Sequence, residues 1–597
     1  MHLLEESVCG RLVLHLAGRL RRGAQRSGLF RLRYALHRKT VVQQANRSLA
    51  LTKGAAPLYQ KGMRAREESL FFALCGRVRN YWMGLSLGCY GLFLLALGGI
   101  LFSFTFWVPR FVGVWEQRVA GSALMVLSLL LLPLNKSLSY AVRKSLFLRG
   151  FLCGFSLLSE DRLGNTEKGR ERVGGALTAA VLFGALGYLT TPLIALWGLV
   201  LLPLLCLFLA LPECLLCAIF LVFPVLGLSG HPTILLCGLV GLLWLSYLAK
   251  AMCGKRTAES SGFDWACLIF CFSLLLGSFV GFGSRTEGIA LAALASMALP
   301  ARQLLGSRAW AIRARASLLA GAGMCAGVGV MQYLLRQAAL QWVDRDRFGD
   351  IGGRVVSFFE NPNVLAIYLL FCLPMALGAA IDAERHSLVK VAYGICALLC
   401  GACLILTWSR GAWLGGMAEV ILLLILCNRK TLAISFLLPF FCMPILPFLP
   451  RSIRNRFASI GMLGESSIRY RRYTWRGTCS MLKKHPFGIG VGSTAFLRIY
   501  PHYAVSGTET VMHAHSLFLH LLAEMGGMGL LSFLLCLFFA FLPFGRGIHL
   551  HARCAICGAL VMGIFDHLWY APPMIALFFC LCALACAGNG ENGGVLS

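Results

Sequence analysis

The stretch His513-Ala-His515-Ser516-Leu-Phe-Leu-His-Leu-Leu-Ala-Glu-Met-Gly526-Gly-Met-Gly529 opens a segment that is long and apolar enough to cross a membrane. It places the imidazole of His515 at the start of a predicted helix, where backbone N–H groups disfavour the protonated form. We therefore interpret His515 as a reactive base. The alternative is a histidine that only occupies the boundary between membrane and water.

The composition of the chain points to a membrane protein. Hydrophobic residues make up 58% of the 597 residues and charged residues only 13%, with a mean hydropathy of +0.74, which excludes a water-soluble globule. The 25 cysteines lie mostly inside apolar runs, without the spacing of a metal site or a disulfide framework. The net charge of +30 is concentrated in loops, which favours membrane orientation and anionic lipid over nucleic acid.

The first 80 residues carry sixteen Lys and Arg against four Glu, and no apolar core of a cleaved signal peptide is present among them. We expect this region to stay in the cytoplasm or on the inner leaflet of the membrane.

Apolar segments then predict about twelve to sixteen membrane spans, sixteen by direct count, with both termini cytoplasmic. Basic loops at Lys136–Arg172, Lys250–Arg256 and Arg302–Arg315 fall on one side of the membrane, which the positive-inside rule assigns to the cytoplasm. The predicted spans are 83–108, 119–134, 175–190, 192–210, 213–228, 233–249, 263–282, 286–300, 317–335, 363–381, 391–408, 412–427, 431–449 and three after residue 515.

The same count places three polar regions on the outer face together with His515. They are residues 336–363, the turn Ser409-Arg410 and the loop 450–514, which carries ten Lys and Arg against Glu465 and Glu509. An anionic substrate is the simplest reason for a basic outward loop. Arg410 either extends towards the membrane surface or holds a fixed guanidinium in a cavity.

Several motifs resemble the O-antigen ligase family, which also includes O-antigen and capsule polymerases. The first is His515-Ser516 followed by Gly526 and Gly529, and the second is the turn Ser409-Arg410-Gly411. The loop sequences Ser466-Ser-Ile-Arg469-Tyr-Arg471-Arg472-Tyr-Thr-Trp475 and His485-Pro-Phe-Gly488-Ile-Gly490-Val-Gly492 are also similar to this family. Further matches are Arg354 to Asn363 and Asp566-His567-Leu-Trp569-Tyr570, so the resemblance covers about residues 310–590.

This resemblance implies a glycosyl transfer from a polyprenyl-diphosphate-linked glycan to an acceptor hydroxyl. His515 would be the base, and Arg410 and Arg471 would hold the diphosphate, because guanidinium makes bidentate contacts to phosphate. The resemblance places Arg471 as the functional arginine of the loop, but the sequence alone does not separate it from Arg469 and Arg472. The residues expected to bind substrate or support the site are Arg354, Asn363, Arg469, Arg472, Trp475, Tyr503, His513 and Asp566.

No metal or cofactor is expected, and the predicted transfer is metal-independent and inverting. The pair Asp344-Arg-Asp346 is flanked by Arg345 and Arg347, so we interpret it as ion-paired. The expected partners are the lipid-linked donor, a glycan or lipid acceptor and membrane lipids, with no nucleic acid. Whether the protein is a ligase or a polymerase stays open.

A flippase or transporter of the same lipid-linked glycan is the alternative function, because it would also need a basic outward cavity. Such a protein should carry charged groups along the membrane interior and paired interrupted helices, which the sequence does not display. A structural scaffold would have no use for the histidine and arginine pattern.

The sequence thus predicts an all-α polytopic protein of the cytoplasmic membrane with one large extracytoplasmic loop domain and an extracytoplasmic active site. The predicted domains are the basic N-terminal region 1–80, the transmembrane bundle 81–310, the helices and outward turns of 311–449, the loop domain 450–514, the C-terminal helices 515–590 and the tail 591–597.

Overall fold

The structure is a computed structural model, and it describes about two thirds of the chain. The described residues are 81–108, 115–144, 168–189, 204–205, 207–209, 211–252, 260–337, 353–381, 387–427, 454, 466–542 and 546–587. Some sequence predictions lie outside these residues, namely the basic region 1–80, the tail 591–597, most of the spans 192–210 and 431–449, and Asp344-Arg-Asp346.

The described residues form helices joined by short turns, and nine of these helices are long and apolar enough to cross a membrane. The prediction of an all-α polytopic membrane protein is therefore confirmed. The α-helices are α1 (Leu87–Trp107), α2 (Trp115–Leu131), α3 (Leu138–Lys144), α4 (Val173–Leu189), α5 (Pro212–Val222), α6 (Pro232–Met252), α7 (Gly262–Phe279), α8 (Arg285–Ser296), α9 (Ala298–Leu304), α10 (Arg308–Leu334), α11 (Pro362–Ile381), α12 (Ser387–Leu406), α13 (Arg410–Cys427), α14 (Ser466–Lys484), α15 (Ser493–Ile499), α16 (Leu517–Phe541), α17 (Ile548–Phe565) and α18 (Pro573–Cys586).

The chain divides into two compact units. Among the described residues, the smaller unit comprises those within 81–215 and 248–252, and the larger unit those within 216–247 and 260–587. In the smaller unit, α1 packs on α4 through Leu97, Leu101 and Ala180, and Phe93 meets Phe183 edge to face at 5.9 Å. This contact buries apolar side chains of both helices.

In the larger unit, α13 and α17 approach each other closely at a pair of glycines. A methyl group on Gly415 would lie 2.5 Å from the carbonyl oxygen of Gly558, so a larger residue cannot replace it without a shift. Small residues allow membrane helices to gain backbone packing where the hydrophobic effect contributes little. The contact fixes α13, which begins at Arg410, beside α17.

One expected loop is partly helical. The sequence predicts a basic cytoplasmic loop at Arg302–Arg315, but α9 continues to Leu304 and α10 begins at Arg308, so only residues 305–307 of this stretch lie outside helices. Arginine is a good helix former, and ring contacts accommodate its charge. Arg313 lies 4.5 Å from the Trp310 ring, and buried Arg315 lies 5.8 Å from the ring of Tyr393.

The polar segments of the larger unit meet at one end of its helices. The N–H of Val355 donates to the carbonyl of Leu406 at the end of α12, and Gln332 near the end of α10 bonds to Ser357. At this same end α11 and α16 begin and α17 ends. Four of the predicted site residues from distant parts of the sequence are thus brought together, namely Arg354, Asn363, His515 and Asp566.

A break in α16 connects this end to the loop domain. Gly526 has φ +63° and ψ −159°, which is not helical, and the break frees the carbonyls of Ala523 and Glu524. These oxygens accept hydrogen bonds from the N–H groups of Ile489 and Gly490 at 2.8 and 3.1 Å. The glycine-rich stretch after His485 is therefore paired with the broken helix.

We predict that Gly526→Ala destabilises the fold by about 1–3 kcal/mol, because its φ and ψ are accessible mainly to glycine. In addition, a Cβ there would lie 2.7–2.9 Å from the backbone of Phe487. Thermal unfolding of the purified protein in detergent measures the effect.

The adjacent Gly527 is the matched control, because nothing lies within 4 Å of a Cβ at that position. Gly527→Ala should leave the melting temperature unchanged or raise it slightly. Equal melting temperatures for the two variants would contradict the structural role of the break.

Candidate functional site

The site is centred on the carboxylate of Asp566, which is the C-terminal cap residue of α17 and is buried. Its Oδ1 accepts a hydrogen bond from the N–H of His567 at 2.9 Å and lies 3.4 Å from Nδ1 of His515. Its Oδ2 accepts from Nδ2 of Asn363 at 3.1 Å and lies 3.8 Å from a guanidinium nitrogen of Arg471. Groups from four separate segments therefore converge on one carboxylate.

The charge of Asp566 is maintained by these neighbours. Burial alone would raise the pKa of Asp566, but the interactions with His513 and His515 and the charge of Arg471 hold it well below its ordinary value. The carboxylate is therefore ionised at neutral pH and can accept hydrogen bonds from every group around it.

His515 occupies a constrained backbone position beside Asp566. Its φ is +47°, which is uncommon for a residue other than glycine and is stabilised here by the surrounding contacts. The indole N–H of Trp475 donates to the carbonyl of His515 at 3.2 Å, and the ring of Tyr470 meets the imidazole edge to face at 5.8 Å. Nδ1 of His515 faces Asp566, and this position favours the tautomer of the imidazole that has its proton on Nδ1 and its lone pair on Nε2.

Three further histidines lie around His515. The rings of His513 and His515 are 4.4 Å apart, and those of His520 and His567 are 4.2 Å apart. Burial lowers the pKa of His513 below its ordinary value and that of His567 far below it. Both rings are therefore neutral at neutral pH, which keeps added positive charge away from the site.

His520 and Glu524 lie near the start of α16 and connect this helix to the segments on either side of it. Nδ1 of His520 accepts from the N–H of Ala514 at 3.4 Å, and its Nε2 lies 3.4 Å from Oε1 of Glu524. The same carboxylate accepts from the N–H of Gly492 at 2.8 Å. This pair holds the His513–His515 turn against the glycine-rich stretch.

A second chain of hydrogen bonds extends from Asp566 towards Arg410. Asn363 donates to Asp566 and accepts from Arg354 at 2.8 Å, and Arg354 also donates to the carbonyl of Thr407 at 2.7 Å. Thr407 opens the turn that leads into α13, whose first residue is the buried Arg410. The turn before α13 and the Asp566 cluster are thus parts of one network.

The structure separates Arg471 from the other three arginines of α14. Arg471 reaches Asp566, whereas Arg469 and Arg472 lie on the exposed face of the helix together with Arg476. The opposite face buries Thr474, Thr478 and Met481 in the core of the loop domain. Helical phase therefore directs only Arg471 towards the histidines.

Of the two predicted aromatic site residues, Trp475 lies beside His515, whereas Tyr503 lies in the loop domain beside His485. Trp475 lies one helical turn after Arg471 and contacts the backbone of His515, as described above. Tyr503 packs against the core of the loop domain, where its hydroxyl is 3.2 Å from Nε2 of His485.

Exposure divides the cluster into two layers. The side chains of His515 and Arg471 are 22% and 24% exposed, whereas those of Asp566 and His513 are 10% and 13% exposed. His515 and Arg471 are the more accessible to a substrate, and Asp566 lies behind them.

One set of potential metal ligands occurs at the site among the residues that the structure describes. Nitrogen atoms of His513 and His515 and a carboxylate oxygen of Asp566 all lie within 4.8 Å of one another. Imidazole and carboxylate are suitable ligands for zinc and several other divalent transition metals.

Sequence reasoning missed the roles of Thr407, His520 and Glu524. The spacing of His520 and Glu524, four residues apart within an apolar helix, was a usable signal, because polar side chains in such helices are seldom unpaired. Arg354 donates to the backbone carbonyl of Thr407, and a backbone contact of this kind cannot be predicted from the pattern of side chains in the sequence.

Residues 395–534 match the family described as O-antigen ligase, which confirms the resemblance found in the sequence. The matched stretch contains Arg410, Arg471 and His515, whereas Arg354, Asn363 and Asp566 lie outside it. No curated protein matches the chain.

Proposed function

We propose that this protein, whose residues 395–534 match the O-antigen ligase family, transfers or polymerises a glycan from a polyprenyl-diphosphate-linked donor onto an acceptor hydroxyl. The match supports the coarser assignment, a membrane protein that transfers glycans in polysaccharide biosynthesis. The observation that carries the finer proposal is the meeting of His515 and Arg471 at one buried carboxylate, with His515 Nδ1 3.4 Å from Asp566.

In the proposed reaction His515 acts as the general base. Nε2 accepts the proton of the acceptor hydroxyl while the hydroxyl oxygen attacks the anomeric carbon of the donor sugar. The imidazolium that forms is stabilised by Asp566, which also holds the ring in the required tautomer. Attack on the face opposite the leaving group inverts the anomeric configuration.

The leaving group is the polyprenyl diphosphate, whose negative charge grows as the sugar–oxygen bond breaks. Arg471 and Arg410 are the proposed diphosphate ligands, since guanidinium stays charged and makes paired hydrogen bonds to phosphate oxygens. The 3.8 Å separation between Arg471 and Asp566 is longer than a strong charge-assisted hydrogen bond, so donors of Arg471 are available to the substrate. These cations replace a metal ion, and we propose a metal-independent reaction.

The remaining predicted residues receive supporting roles. Asn363 and Arg354 would keep Asp566 at a fixed position relative to the turn before Arg410. Trp475 would hold the backbone of His515 through its hydrogen bond to the carbonyl. The exposed Arg469 and Arg472 would contact parts of the anionic substrate, or lipid headgroups, that lie away from the reacting atoms.

We expect His515→Ala to lower the transfer rate about 10²–10⁴-fold while leaving binding of the lipid-linked donor nearly unchanged, because the base acts on the acceptor. Arg471→Lys should weaken donor binding and rate together, since lysine keeps the charge and loses the bidentate geometry. The assay uses purified protein, a short-chain prenyl-diphosphate glycan, candidate acceptors and a chelator.

The exposed His502 provides a control, and His502→Ala should leave the rate unchanged. A transfer rate in His515→Ala close to that of the wild type would overturn the base assignment. Loss of wild-type activity on addition of chelator alone would overturn metal independence. Movement of the donor across the membrane without a new glycosidic bond would identify a flippase instead. The acceptor that becomes glycosylated decides between ligase and polymerase.

We also propose that the site faces away from the cytoplasm in the cytoplasmic membrane, because basic turns flank the opposite ends of the spans. Cys479, which is exposed on α14, tests this orientation. A membrane-impermeant maleimide should label it in intact cells after any outer barrier is opened, and Cys479→Ser should remove that label. Labelling that requires disruption of the cytoplasmic membrane would contradict the proposed orientation.

A further inference from the structure

The base cluster contains three potential metal ligands whose spacing approaches that of a zinc site. The Oδ1 atom of Asp566 lies 3.4 Å from Nδ1 of His515 and 3.8 Å from Nε2 of His513. Ligand atoms around tetrahedral zinc are about 3.3 Å apart when the bonds are about 2.0–2.1 Å long. All three ligand atoms lie within 4.8 Å of one another, so movement of the side chains towards a common centre would bring them to one Zn²⁺ ion.

The surroundings of the three ligands also fit a zinc ion. The backbone N–H of Ala514 is held by His520, so the turn between the two ligating histidines is already fixed. The side chain of His513 is only 13% exposed, and its Nε2 faces Asp566. Asp566 is held on its other oxygen by the amide of Asn363. Two imidazoles and one carboxylate form a common zinc donor set that leaves a fourth position open.

We propose that His513, His515 and Asp566 form a reversible zinc site and that Zn²⁺ bound there inhibits glycan transfer. The binding part depends only on the geometry of the cluster. The inhibition part rests on the proposed function, in which His515 is the base.

The reason for inhibition is the tautomer of His515. In the metal-free site Nδ1 carries the ring proton and Nε2 carries the lone pair that accepts the proton of the acceptor. A zinc ion on Nδ1 takes the place of that proton, which moves to Nε2 of the neutral ring. Nε2 then has no lone pair, and Asp566 is no longer available to stabilise an imidazolium.

Arg471 limits the affinity of the site. Its guanidinium lies 3.8 Å from the second oxygen of Asp566, so its positive charge opposes a second cation nearby. Zinc should therefore bind as an exchangeable inhibitor that a chelator removes. Removal of this charge should strengthen binding, which distinguishes the site from nonspecific ligation elsewhere on the chain.

Binding is tested on the full-length protein in detergent or nanodiscs, titrated with Zn²⁺ by calorimetry and with Co²⁺ by visible absorption. We expect His513→Ala and Asp566→Asn each to weaken binding by on the order of 10–100-fold or more. Arg471→Ala should tighten it, and His502→Ala should leave it unchanged. Thermal unfolding of each variant verifies that the fold is kept.

The cobalt spectrum separates this site from the cysteines. Ligation by His and Asp gives no thiolate-to-cobalt charge-transfer band, whereas the exposed Cys479 would give one. A spectrum dominated by that band, or affinities that stay the same in His513→Ala and Asp566→Asn, would overturn the proposed site.

Inhibition is tested in the transfer assay by titrating Zn²⁺ with and without excess chelator. Wild-type protein should lose activity with zinc and recover it with chelator. The inhibition constant for zinc should be about tenfold higher or more in His513→Ala than in the wild type, with the activity of each protein normalised to its own rate without metal. Zinc that binds at this site but stimulates transfer, or has no effect on it, would overturn the inhibitory role. A protein that binds zinc here but transfers no glycan would contradict the proposed function and leave the metal site intact.

Discussion

The buried negative charge of Asp566 is the constraint on which the site depends. An ionised carboxylate in a protein interior is costly unless it is paired and hydrogen-bonded. Here it is surrounded by the His567 N–H, the Asn363 amide, the Arg471 guanidinium and the imidazoles of His513 and His515. Their hydrogen bonds and close charge contacts with Asp566 help to hold each of these groups in place. The charge therefore organises the residues around it.

The backbone break at Gly526 makes this arrangement compatible with a membrane helix. An unbroken α16 would keep the carbonyls of Ala523 and Glu524 inside its own hydrogen-bond ladder. The break makes them available to Ile489 and Gly490, and this attaches the loop domain to the helix that begins beside His515. Backbone pairing of this kind lets Arg471, on a helix of the loop domain, lie at a fixed distance from Asp566.

Much of the fold follows from the sequence because membrane spans are defined locally, by length and apolar composition. The motifs that predict Arg410, Arg471 and His515 as reactive also lie within or beside such spans, and that assignment stays a prediction. The central position of Asp566 was not, because it depends on contacts with segments as distant as Asn363. The choice among Arg469, Arg471 and Arg472 likewise required the helical phase of α14, which is set by burial of Thr474 and Thr478.

The central claim is that Asp566 orients and stabilises His515 in the reacting complex. The most direct measurement is the turnover of Asp566→Asn in the reconstituted transfer assay, together with its thermal unfolding. The amide keeps the shape but can no longer supply the negative charge. We predict a folded protein whose turnover at saturating donor falls by about 10²–10⁴-fold, comparable with loss of the base itself. A folded Asp566→Asn protein with turnover close to that of the wild type would contradict the account.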